Sequence, residues 1–196
     1  MIPARARLVW TRVLPVVLSG GAAMAMVLAA RAEARHVPVP SSPDLGKAEG
    51  RCRPGEPGPA LLIDVVGLKD RAGRLKLEVY PANDEDFLAD DNVLLNAGKT
   101  FRRVEVDTPQ AGPVQLCVRV PGPGTYSVVL LHDRDSNRKF GLSVDGLGFA
   151  GNPHIGWSKP KAAATSITVG GGLTRTAIVM NYRTGLFRFG PLKERD

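Results

Sequence analysis

From Ala60 onward the chain is a series of short apolar runs bounded by Gly, Pro or Asn. In Gly73–Tyr80, Leu75, Leu77 and Val79 alternate with Arg74, Lys76 and Glu78. A period of two predicts a strand with one face buried. Pro113–Val120 repeats the pattern, with Val114, Leu116, Val118 and Val120 inward and Gln115, Cys117 and Arg119 outward. Ala60–Val66, Thr100–Val106, Thr165–Val169 and Thr174–Tyr182 are further strand candidates, rich in Val, Ile and Thr. Thr125–Leu131 does not alternate and is apolar on both faces from Val128 to Leu131, which predicts a central strand. Lys69–Gly73 and Pro121–Gly124 carry turn chemistry, and Asp84–Asp90 has room for one or two helical turns bearing Phe87 and Leu88. About seven short strands and no ordinary-length helix predict an all-β fold, a single β-sandwich.

Ahead of this region the pattern differs. Arg5, Arg7 and Arg12 precede an uncharged stretch, Val13–Ala30, and then Ala32-Glu33-Ala34. A basic flank, an apolar run and an A-x-A site predict a secretory signal peptide over residues 1–34. The alternative is an uncleaved anchor, because the apolar run is nearly long enough to span a bilayer. Residues 35–59 hold six prolines and no apolar period, and read as a Pro-rich linker tied down at Cys52. The sandwich then covers 60–183, and 184–196 is a short C-terminal tail.

Composition narrows the function classes. The net charge of +7 owes four Arg against one Glu to residues 1–34, so cleavage brings it to roughly +4. No stripe of basic and aromatic residues remains, which excludes nucleic acid as the expected partner. Two cysteines are too few for a zinc ribbon or a cysteine-rich scaffold. In an oxidising compartment they form one disulfide, Cys52–Cys117, closing a loop of about 66 residues worth roughly 4 kcal/mol in the chain-entropy model. The expected signal peptide places the protein outside the cytoplasm, periplasmic or extracellular.

The densest polar cluster is His132–Lys139. Asp133, Asp135 and Asn137 have the spacing that opens a calcium loop, and Asp145 lies within reach in sequence. Arg138 stands where such a loop needs Gly and Val144 where it needs Glu, while Arg134, Arg138 and Lys139 oppose a cation. The expectation is therefore a self-capped polar turn, with calcium absent or bound only at millimolar concentration. His132 beside Asp133 invites a catalytic reading with Ser127, Ser136 or Ser158, but no serine sits in a G-x-S-x-G elbow. No catalytic residue is assigned, and His132 is read as a structural histidine closing a strand. Neither His36 nor His154 completes a zinc spacing with it. Gly170–Gly172 lacks a following Lys-Ser/Thr and reads as a hairpin turn; Gly146–Asn152 reads as a tight loop, with Trp157 nearby.

The segment Gly122–Pro153 resembles a bacterial family of exported proteins of unknown function, DUF2141. The resemblance rests on Pro123-Gly-Thr-Tyr126 leading into His132-Asp133, on Asn137-x-Lys-Phe140, and on Gly148-Phe149 with Asn152. Val66-Gly67, Gly73–Tyr80 and Phe87-Leu88 match the family's early strand pair and Phe-Leu pair, and Cys52 and Cys117 look like cysteines of some members. The chain departs from the family at four places. Asp135 replaces an Asn, and Gly141 follows Phe140 directly where an Asp and a few further residues usually intervene. Ser143-x-Asp145 stands for Pro-x-Glu, and Ala150-Gly151-Asn152 for Ser-Asn-Asn. The resemblance implies an exported sandwich like transthyretin or immunoglobulin modules and supplies no reaction. The expected function is a non-enzymatic envelope module that binds a protein or carbohydrate partner through its loops. The alternative is a calcium-stabilised or weakly catalytic module centred on His132–Asn137; membrane attachment follows only if the N-terminal segment stays uncleaved.

Overall fold

The computed structural model describes residues 37–156, 158–186 and 188–192. The expected signal peptide, Trp157 and the last four residues of the tail lie outside them. Among these residues ten strands form two sheets, with two short α-helices and one 3-10 turn, and the fold is an all-β sandwich. The smaller sheet has the order β4-β1-β8, from β1 (Ala60–Val66), β4 (Val114–Arg119) and β8 (Leu173–Val179). Strand β8 runs parallel to β1 and β4 antiparallel to it. The larger sheet takes β2 (Arg74–Pro81), β3 (Arg102–Asp107), β5 (Gly124–Asp133), β6 (Gly146–Phe149), β7 (Ser166–Val169), β9 (Asn181–Arg183) and β10 (Phe189–Pro191).

Strand β5 is the centre of the larger sheet. One of its edges pairs with β2 from Tyr126 to Asp133. The other edge is shared, with β7 along Gly124–Ser127 and β6 along Val129–His132. Its alternate residues feed two cores. Val128 and Leu130 join Leu61, Ile63, Leu77 and Ile178 between the sheets. Val129 faces the opposite side with Tyr80, Phe87, Leu94, Phe101 and Phe149. That outer core is covered by the β2–β3 connection, in which turns through Leu88 lead into a helix at Asp91–Asn96, α2. Apolar residues on both faces of β5 are thus what a doubly covered strand requires.

The expected strands are present, with three differences. Thr174–Tyr182 is not one strand, because the chain changes sheets at Met180, whose N–H donates to the Val66 carbonyl at 2.9 Å. Ile178, Met180 and Tyr182 stay buried through the change, which is why the apolar period runs on unbroken. Gly170–Gly172 is accordingly a crossover from β7 in one sheet to β8 in the other, not a hairpin turn. Gly146–Phe149, expected as part of a loop, is a strand whose inner-face positions are glycines. A Cβ on Gly148 would lie 2.4 Å from Ile178 Cγ2, and one on Gly146 would lie 2.3 Å from Tyr182 Cε1. Glycine lets β8 and β9 cross closely, and it also erases the alternation that would have revealed the strand.

The Pro-rich segment is docked more widely than at Cys52 alone. A short helix, Lys47–Gly50 (α1), packs on β3, and the Arg103 N–H donates to the Gly46 carbonyl at 3.1 Å. This covers a charge cluster on the outer face. The Arg103 guanidinium donates to Glu78 at 2.8 Å, to the Ser42 carbonyl at 3.1 Å and to Asp91 at 3.2 Å. Glu78, outward by alternation, is therefore buried with its charge paired. Pairing also continues past residue 183, where β10 adds a strand against β9 within the expected tail.

Cys52 and Cys117 are joined, with their Cα atoms 5.9 Å apart. The bond staples this docked segment to β4. Replacing both cysteines by serine is expected to cost about 2–4 kcal/mol in denaturant unfolding, and thiol labelling of the denatured, unreduced protein should find no free thiol. Two reactive thiols, or an unchanged midpoint in the double variant, would contradict the staple.

Candidate functional site

The polar loop begins where β5 ends, and strand alternation decides its geometry. The period that turns Val128 and Leu130 inward also turns His132 inward, to the rim of the inner core, where it is fully buried. Its Nε2 lies 2.8 Å from the Ala72 carbonyl, which only accepts, so Nε2 carries the proton. Nδ1 then accepts from the Tyr182 hydroxyl at 2.7 Å. That hydroxyl accepts the Lys69 N–H at 3.2 Å, and burial pushes it up to about 12, so it remains a donor. Burial likewise lowers the His132 pKa, favouring the neutral ring. With both nitrogens engaged, His132 contacts none of the serines weighed as nucleophiles; the Ser127 hydroxyl donates to Ala162 instead. The geometry is that of a structural histidine.

Asp133 and Asp145 are also buried, at opposite ends of the loop. Asp133 accepts the Asn137 N–H on Oδ1 at 3.1 Å and the Arg138 N–H on Oδ2 at 2.8 Å. Asp145 accepts the Arg134 N–H on Oδ1 at 2.9 Å and the Gly141 N–H on Oδ2 at 2.7 Å. Asp135 caps Asn137 through its N–H and side-chain amide, and Asn137 caps the Lys139 N–H at 2.7 Å. Ser136 and Arg138 take left-handed backbone conformations, φ 57° and 66°, to aim these amides. Every side-chain oxygen of the four expected loop residues thus accepts a hydrogen bond from within the loop.

Asp133, Asp135 and Asp145 each offer a carboxylate oxygen within 4.8 Å of the others, the one acidic grouping of metal-ligand type among the described residues. Burial raises the Asp133 pKa above the usual carboxylate range, and the nearby Asp135 and Asp145 add to this against the capping amides. Arg134 and Arg138 pair with carboxylates outside the cluster, while Arg134 also acts electrostatically on Asp145 within it. Arg134 forms a forked ion pair with Asp70, whose carboxyl it holds below the usual range, and Arg138 reaches Glu105 at 3.5 Å. The commitment of the oxygens to backbone amides adds to the loop's positive charge in opposing a cation.

Sequence reasoning missed a second feature, an apolar cleft of about 720 Å³ on the outer face of the larger sheet. Leu147 and Phe149 of β6 line it together with Leu88 and Ile155. Phe140 and Leu142 close one side and the β9–β10 hairpin, with Leu186 and Phe189, another. Phe140 and Phe189 meet edge to face at 6.1 Å. His154, Ser158, Lys159, Arg183 and Arg188 supply the polar lining. The lining comes from five separated segments, so no local motif announces it. The nearest signal is Phe140 and Leu142 in an otherwise polar loop.

A disulfide-stapled β-sandwich with a self-capped polar loop and an open apolar cleft is the class of protein these features define. Residues 63–177 match the model of a family described as uncharacterized proteins conserved in bacteria, DUF2141, and the chain belongs to that family. No curated protein and no solved structure matches it.

Two outcomes test this account of the loop. Asp133→Ala should lower stability by roughly 1–2 kcal/mol through lost caps, equally in calcium and in chelator, and calorimetric titration should detect no calcium affinity tighter than millimolar. Micromolar affinity abolished by Asp133→Ala would reverse the reading. The His132 contribution should be fully present above its unfolded pKa of about 6.5 and be lost as pH falls toward the lowered folded value. His132→Gln should flatten that slope in denaturant titrations; an equal slope in both proteins would remove His132 from the account.

Proposed function

We propose that this protein is an exported, non-catalytic envelope module that holds an apolar partner among Leu88, Phe140, Leu142, Leu147, Ile155 and Leu186. The observation that carries the reading is the open cleft itself. Leu142 and Leu186 line it while 43% and 76% exposed. Grouped apolar side chains left open to solvent mark a binding surface. The polar loop, in contrast, has its hydrogen-bonding groups committed to itself and leaves no nucleophile–base pair.

Between the two partner classes expected from the sequence, the lining favours a protein or other apolar group over a carbohydrate. Sugars are held by convergent amide, carboxylate and hydroxyl side chains, and Ser158 is the only such side chain among the described lining residues. Export is supported by the disulfide, which persists in oxidising compartments, and by the arginine–apolar–A-x-A order of residues 1–34. Among the described residues no helix is long and apolar enough to cross a membrane. No cofactor is needed for this role, and calcium at most adds weakly to the 133–145 loop.

A photo-crosslinking residue at Leu186 in the exported protein should yield a discrete adduct in the native envelope, whereas one at Leu173, on β8, should not. The same preparation should have a mature N-terminus near Arg35 by intact mass. Equal labelling from both positions, or none from Leu186, would contradict a partner in the cleft; retained residues 1–30 would contradict cleavage.

A further inference from the structure

We infer that the occupant of the cleft is a single-chain anionic amphiphile, a long-chain carboxylate whose tail lies along Leu147 and Phe149 and whose head meets the arginines. The inference rests on the cleft reading above and names its ligand class. Three observations support it. First, about 720 Å³ falls within the range of small-molecule pockets, about 300–1,000 Å³, and suits a flexible chain better than the broad flat area a folded partner requires.

Second, the charge of the lining is one-sided. Lys159, Arg183 and Arg188 line the cleft with His154, and no Asp or Glu is among the described lining residues. Lys159 Nζ donates to the Asp84 and Phe87 carbonyls, and the Arg183 guanidinium to those of Gly185 and Leu186. These acceptors are neutral, but Lys159 also acts on the Asp84 carboxylate and lies over the Phe87 ring, so the arginines supply the cleft's cationic character. Among the described residues no carboxylate forms an ion pair with Arg183 or Arg188. Apolar walls with uncompensated cations complement an apolar tail with an anionic head.

Third, Leu88 occupies a left-handed conformation, φ 62°, while 40% exposed on the cleft. A bulky residue is rarely held there, and such strain concentrates at binding sites. The residue so held contributes an apolar side chain to the cleft lining.

The test is fluorescence titration of the mature protein with cis-parinarate, displaced by palmitate, with dodecyltrimethylammonium and dodecyl maltoside as headgroup controls. Palmitate should displace the probe saturably at a one-to-one ratio, and the cationic and neutral amphiphiles should displace it at least tenfold less well. Arg188→Glu should weaken palmitate about tenfold; Arg183→Gln should weaken it in the same direction. Leu186→Asp, at an exposed position, should weaken the probe without altering the unfolding midpoint. Non-saturable uptake, equal displacement by all three headgroups, or unchanged affinity in the variants would overturn the assignment. Failure here together with a discrete protein adduct from Leu186 would remove the amphiphile and leave the cleft as a protein-binding site.

Discussion

Burial of β5 on both faces is the constraint on which the rest of the molecule depends. A strand that is apolar front and back must be covered twice. The smaller sheet covers one side, and the turns and α2 between β2 and β3 cover the other. The outer cover then creates its own requirement. Glu78 lies on that face and accepts Arg103, so α1 and the Pro-rich segment have to close over an ion cluster rather than leave it half wet. The Cys52–Cys117 bond holds this last layer down. Two cores, a docked N-terminal segment and a disulfide thus follow from one ten-residue strand.

The same strand sets up both surface features. Its inward period ends at His132, which seals the inner core through Tyr182 and Ala72, and the next residue, Asp133, starts the polar loop already buried. A carboxylate in that position needs donors, and the loop supplies them from its own backbone. Strand β6, paired with β5 and admitting β8 and β9 over glycines on one face, is left with Leu147 and Phe149 on the other. The outer cover reaches Phe149 through Phe87 but leaves Leu147 half-exposed, and there the aromatic core opens into the cleft.

The parts of this arrangement that were legible in the sequence are those that rest on local periodicity. Alternation in Gly73–Tyr80 and Pro113–Val120 placed two strands and their buried faces, and the unbroken run at Val128–Leu131 placed the central one. The self-capped character of Asp133, Asp135 and Asn137 was also readable, since such caps act over two to five residues. Asp145 was grouped with them by nearness, yet its role in bonding Arg134 and Gly141 depends on the loop's path. Strand β6 was hidden because glycine carries no polarity signal. The sheet change at Met180 was hidden because the apolar face continues through it. Asp70 and Tyr182 lie 64 and 50 residues from the loop residues they bond, Arg134 and His132, and the cleft joins five segments that share no pattern.

The central claim is that the 132–145 loop is built by its own carboxylate caps, leaving the cleft as the surface that meets a partner. Amide hydrogen exchange at single-residue resolution tests it most directly. The account predicts slowed exchange at Arg134, Arg138 and Gly141, whose N–H groups reach Asp145, Asp133 and Asp145, with the same protection in chelator as in calcium. Amides that exchange freely in chelator and become protected only when calcium is added would contradict it.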